Sequence, residues 1–231
     1  MRKLMWVLGL GVIVALSGCV KMEQDITLNK DGSGNVKFMY AMSEQMINQM
    51  EMMAQMGAEE GMEAEDDGME FDEAEVRKSF EELKDQGITL NSVKSESKGG
   101  WKYMHVDFDF EDVAKLGDTE AMGDSPVIIS KNEDGNYVIT STMGGEDMGL
   151  GDEEMDPAQM QMMMPMLAGM RISVKINTPT DIISTTAPVT TARSAQWVFD
   201  ADNDPESIMK MGQTKMEIIF SGQGVSIPEV N

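Results

Sequence analysis

Cysteine occurs once in 231 residues, at Cys19, and histidine once, at His105. A lone cysteine excludes any disulfide within the chain. No Gly-x-Ser-x-Gly, phosphate loop, His-Glu-x-x-His or Cys-x-x-Cys is present, so the motifs whose mechanics are readable from one sequence are missing. His105 has Asp107 and Tyr103 nearby but no nucleophile in a recognisable motif, and the protein is expected not to be an enzyme. Basic residues are scarce, with 18 Lys and Arg against 41 Asp and Glu and a net charge of −23. Nucleic acid demands a basic surface and is excluded as a partner. Apolar runs are short: residues 4–15 fall well below the ~20 residues of a membrane-spanning helix.

What the chain does have begins at its start. Arg2 and Lys3 precede the apolar run, and Leu16-Ser17-Gly18-Cys19 closes it with small residues before the cysteine. A positive start, an apolar middle and a small-residue exit describe a cleaved signal peptide, residues 1–18. The last four residues resemble the lipobox of bacterial lipoproteins. That resemblance implies cleavage before Cys19, diacylation of its thiol and acylation of the new amino terminus. Each buried acyl CH₂ contributes about 0.8 kcal/mol, and two chains or more anchor stably where one is marginal. Losing Arg2 and Lys3 leaves the mature part near −25. Val20 and Lys21, in place of an acid after the cysteine, fit sorting to an outer membrane in a host with two membranes.

Residues 19–231 are long enough for one domain. Met22, Ile26 and Leu28 keep a period of two, residues 29–34 are turn formers, and Val36, Phe38, Tyr40 and Met42 resume the alternation, which predicts a β-hairpin. From Ser43 the period changes to helical through Met46, Met50, Met53 and Met56, with Ser43 as N-cap and Gly57 as the stop. Asp72 caps a second helix carrying Val76, Phe80 and Leu83, which Gly87 ends. Residues 88–95 and 101–110 form a second hairpin in which Met104, Val106, Phe108 and Phe110 share one face, while Tyr103, His105, Asp107 and Asp109 share the other. A short helical turn follows at 111–116, then a third hairpin at 127–131 and 137–143, and a short helix after Pro157. Strands are expected at 170–178, 182–186, 195–201 and 214–221, with a loose tail after Gly222. Acidic, methionine-rich segments near 57–71 and 144–156 read as mobile insertions. Hairpins with segregated helices predict an α+β fold, an antiparallel sheet with helices packed on one face.

The hairpin 26–38, the segment 80–110, and Arg171-Ile172-Ser173-Val174-Lys175-Ile176-Asn177-Thr178-Pro179 followed by Gln196-Trp197-Val198-Phe199 are similar to LppM-like envelope lipoproteins. The resemblance implies a lipid-anchored, non-catalytic α+β domain at the envelope that handles apolar or lipid-like molecules.

Methionine is the feature that could carry chemistry: 26 residues, concentrated at 39–69 and 143–170. As flexible apolar side chains, Met46, Met50, Met53, Met160, Met163 and Met164 are the candidate lining of a groove for a lipid or an envelope protein, with core packing as the plain reading. As soft thioether donors, Met50, Met53, Met56, Met160, Met163 and Met166, spaced Met-x-x-Met, are the alternative, a Cu(I) site. Asp200, Asp202, Asp204 and Glu206 imitate a calcium loop, but Pro205 stands where such a loop needs glycine and Met211 where it needs a bidentate acid, so they read as a turn. No cofactor is expected. The sequence describes an acidic envelope lipoprotein, held to the membrane through Cys19 and facing outward, that works as a binding or structural module.

Overall fold

A computed structural model describes residues 20–59, 71–116, 127–142 and 167–228. The fold is α+β, as the hairpin pattern predicts, but with two sheets. The larger has seven strands in the order β3-β4-β2-β1-β7-β10-β9 and the smaller four, in the order β5-β6-β11-β8. The strands are β1 (Val20–Leu28), β2 (Gly34–Ser43), β3 (Ile88–Lys98), β4 (Trp101–Phe110), β5 (Val127–Lys131), β6 (Tyr137–Thr142), β7 (Arg171–Asn177), β8 (Ile182–Thr185), β9 (Val189–Thr190), β10 (Ser194–Asp200) and β11 (Lys215–Phe220). Pairing is antiparallel throughout except between β1 and β7, which run parallel with Met22, Ile26 and Thr27 opposite Ile172, Ile176 and Asn177.

Alternation decides what each sheet buries. In the larger sheet Ile26, Val36, Phe108, Val174 and Trp197 fall on one face and are almost fully buried. On that face lie α2 (Glu73–Leu83), whose Phe80 ring meets Phe108 at 5.1 Å between centroids, and the smaller sheet, which contributes Ile129, Ile139 and Ile218 to the same core. The short helices α3 (Val113–Leu116) and α4 (Pro205–Met209) add Val113, Leu116 and Ile208. The opposite face carries Glu23, Asp25, Lys37, His105 and Lys175 and stays open to water.

Local chemistry sets the ends. Asp72 accepts a hydrogen bond from the Ala74 amide at 2.7 Å, capping α2, and Gly87 leaves it through a left-handed φ of 81°. Helix α1 (Glu44–Glu59) starts where the sequence places it, with the Met46 amide donating to Ser43 Oγ at 3.3 Å, but it continues through Gly57, which costs a helix about 1 kcal/mol without terminating it. Of the two segments read as mobile, 57–59 is helical and Phe71 packs its ring 5.1 Å from that of Tyr40; 60–70 and 144–156 lie outside the described residues. The second hairpin turns more tightly than expected, at Gly99 and Gly100 alone, with Asn91 bulged out of register in β3. The tail after Gly222 is not loose. Val225 and Ile227 are buried, the Ser226 amide donates to Lys30 O at 2.7 Å, and Tyr137 clasps the backbone of Ile227. The acids at 200–206 do form a turn. Burial of Asp200 works to raise its carboxyl, but hydrogen bonds from Asn203 and Asp202 and the nearby Arg171 outweigh it, holding the group below its ordinary range.

Candidate functional site

Among the described residues the two sheets offer three places for a partner, and the space between the sheets is small. Where the sheets meet, Ile26, Leu28, Ile129, Ile139 and Ile176 leave a space of about 20 Å³, enough for one water and far below a small-molecule pocket. The apolar interior in this part of the fold is core.

The open face of the larger sheet is a polar concavity of about 410 Å³. Six strands build it, because residues with the same parity on β4, β2, β1, β7 and β10 share a side, and Ser92 of β3 joins them opposite Asp107. Asp107, Lys37, Asp25, Lys175 and Gln196 stand in one row across the strands. The next row holds His105, Met39, Glu23, Ser173 and Val198. Most of these groups are already engaged. Lys175 Nζ lies 2.9 Å from Asp25, Asn35 donates to Asp107 and Asp109 at 2.7 and 2.8 Å, and Gln196 donates to Ser173 at 2.9 Å. His105 stacks on Tyr103 with 6.1 Å between ring centroids and stands 3.7 Å from Glu96. The hydrogen bond from Lys94 holds the Glu96 carboxyl below its ordinary range. The row reads as a solvated, mutually neutralised surface.

The third place is the end of the larger sheet where β1 begins. Val20 pairs with Met42, and the β3–β4 turn closes beside them, since Ser43 pairs with Trp101 and the Glu44 amide donates to Gly100 O at 2.9 Å. Lys21 Nζ sits 3.9 Å above the centroid of the Trp101 ring. It reaches across β2 because Ala41, its partner in register, is small; Ala41 and Ser43 on that side of the strand are 0% and 2% exposed. On the other side of the turn Lys102 lies 5.1 Å from the centroid of Phe71. The alternation of β4 was readable in the sequence, but the meeting of Lys21 with Trp101 was not, because it depends on the register of three strands.

Of the methionines singled out above, Met46 is half-buried at the first turn of α1 and Met50 is 42% exposed. Met53 and Met56 belong to α1, with side chains outside the described residues, as are Met160, Met163, Met164 and Met166 altogether. Cys19 lies outside them too, one residue before β1. Among the described residues no group of three or more His, Cys, Asp or Glu is placed to hold a metal, and no helix is long and apolar enough to cross a membrane. Mild peroxide should therefore oxidise Met50 and Met52, the latter 59% exposed, well before Met104 and Met211, which are fully buried. Peptide mass spectrometry of a time course measures the order; equal rates would show that α1 does not present its methionines to solvent.

No family model matches the chain, and no curated protein matches it. Among solved structures the chain is similar to the NMR structure of the folded domain of LppM from Mycobacterium tuberculosis, at 10% identity and a TM-score of 0.44, over 95% of this chain and 94% of that one.

Proposed function

We propose that this protein is a bacterial envelope lipoprotein, cleaved after Gly18, acylated on Cys19, and displaying a non-catalytic α+β module that binds a lipid-like molecule or an envelope protein. The observation that carries the reading is the position of the sole cysteine. It ends a signal-like segment and immediately precedes β1, an inner strand of the larger sheet, so acyl chains there would tether the folded body with no stalk between. The membrane is the first partner, through those chains. The methionines of α1 are the surface proposed for the second, since Met50 and Met52 stand exposed and flexible thioethers adapt to varied apolar shapes.

Growth with labelled palmitate, followed by isolation of the polypeptide and mass analysis of its amino terminus, tests the anchor. The wild-type chain should begin at Cys19 and carry label, and Cys19→Ala should carry none. An unlabelled wild type, or label persisting in the alanine variant, overturns the assignment.

A further inference from the structure

In a chain of net charge −23, the end of the larger sheet next to Val20 is a local exception. Lys21, Lys98 and Lys102 surround the turn at Gly99 and Gly100, and the half-buried rings of Trp101 and Tyr103 lie among them. Among the described residues, the acids nearby are Glu44, at the start of α1, and Glu96, which Lys94 neutralises at 2.7 Å. Asp72 and Glu73 stand further back, at the start of α2, where the Glu73 carboxylate accepts from the Ser95 amide and lies 3.9 Å from Arg77. Arg171, beside Lys21 in register, is engaged by Glu23 and Asp200. Among the described residues the three lysines thus outnumber the uncompensated acid at the tip.

We infer that this lysine and tryptophan end is a docking surface for anionic phospholipid headgroups, which sets how the globule stands on its membrane. The inference rests on acylation of Cys19. A cysteine bonded to Val20 brings acyl chains to this end of the sheet and to no other, since β1 runs away from it towards Leu28. Of the surfaces an anchored body could turn to the bilayer, an anionic leaflet attracts lysines and repels the acids elsewhere. Tryptophan and tyrosine favour the headgroup layer, where an apolar ring and a polar edge are both satisfied. Lys21 lying on Trp101 keeps charge and ring together at one point.

The intrinsic fluorescence reads this directly. Tryptophans occur at Trp6, Trp101 and Trp197; the first leaves with the signal peptide, and Trp197 is 2% exposed. Acylated, palmitate-labelled protein is reconstituted into vesicles of phosphatidylcholine alone, or mixed with phosphatidylglycerol brominated high on its acyl chains. Trp101 should be quenched in the phosphatidylglycerol vesicles at about 0.1 M salt, and the quenching should fade towards 1 M, where the screening length shrinks from ~10 to ~3 Å. Each lysine at an anionic surface contributes about fivefold, so Lys98→Gln with Lys102→Gln should lower the docked population about twenty-five-fold relative to the undocked. Trp101→Phe should remove the quenchable signal. Labelled protein in which Trp101 is not quenched, or is quenched equally after both lysines are replaced, overturns the docking surface and leaves the anchor intact. A chain without label overturns the anchor and the docked orientation with it.

Discussion

Replacing Gly34 with alanine should cost about 3 kcal/mol or more, a large part of the 5–15 kcal/mol that holds a typical domain together. Gly34 opens β2 and is paired with Leu28 on one side and Phe110 on the other. A β-carbon there would stand 2.1 Å from the carbonyl oxygen of Thr27 and 2.4 Å from Cζ of Phe110. The ring belongs to a core residue 2% exposed, and the carbonyl is backbone of the paired strand, so neither can step aside without opening the β1–β2 hairpin. Gly99 is the matched control. It has a φ of 63°, and a β-carbon there would meet nothing within 4 Å, so alanine brings only left-handed strain, about 1–2 kcal/mol. Urea unfolding of the two variants beside the wild type decides the matter; equal losses would mean that close packing at Gly34 does not govern the hairpin.

Tyr137→Phe should cost about 2–4 kcal/mol and free the C-terminal segment. The hydroxyl accepts from the Ile227 amide at 2.8 Å and donates to the Ile227 carbonyl at 3.0 Å, in a position where the tyrosine is completely buried. Phenylalanine keeps the ring stacked on Phe220, 5.5 Å between centroids, and removes only the oxygen. Two backbone groups then lose their partner in an environment without water, at about 1–3 kcal/mol each before relaxation. Because Ile227 is 4% exposed, relief comes from pulling the segment into solvent. Hydrogen exchange at the Ile227 amide should accelerate far more than at Ile139, which sits in the middle of β6 and keeps its ladder partners. Unchanged protection at Ile227 would show that the tail is held by its apolar contacts alone.

These two positions also mark the limit of what local sequence pattern conveys. Strands announced themselves wherever one face is buried: Met104, Val106, Phe108 and Phe110 alternate because water lies on the other side of β4. Helix α2 was legible from its cap, its apolar stripe and its terminal glycine. The tail was not, since Gly222-Gln223-Gly224-Val225-Ser226-Ile227 has no period and is ordered by a hydroxyl 90 residues away. Nor could local pattern show that the strands divide into two sheets, or that β7 joins β1 in parallel, because both are facts of long-range pairing. The site follows the same rule. Alternation placed Tyr103 and His105 on the open side of β4, but the meeting of Lys21 with Trp101 came from stacked registers, and small Ala41 between them was the sole local hint.

The parallel pair has a consequence for the order in which the molecule can be assembled. Synthesis delivers β1 and β2 early, and they can close as a hairpin at once. The other edge of β1, however, waits for residues 171–177, about 150 positions later, as the Lys175–Asp25 contact records. During that interval an unfinished ladder of amides and carbonyls faces solvent, a template on which a second nascent chain could add. Lys21, Glu23 and Asp25 along that strand discourage such a mispairing. A fragment stopped before Arg171 would be left with this edge permanently open, and aggregation, more than simple unfolding, is its expected fate.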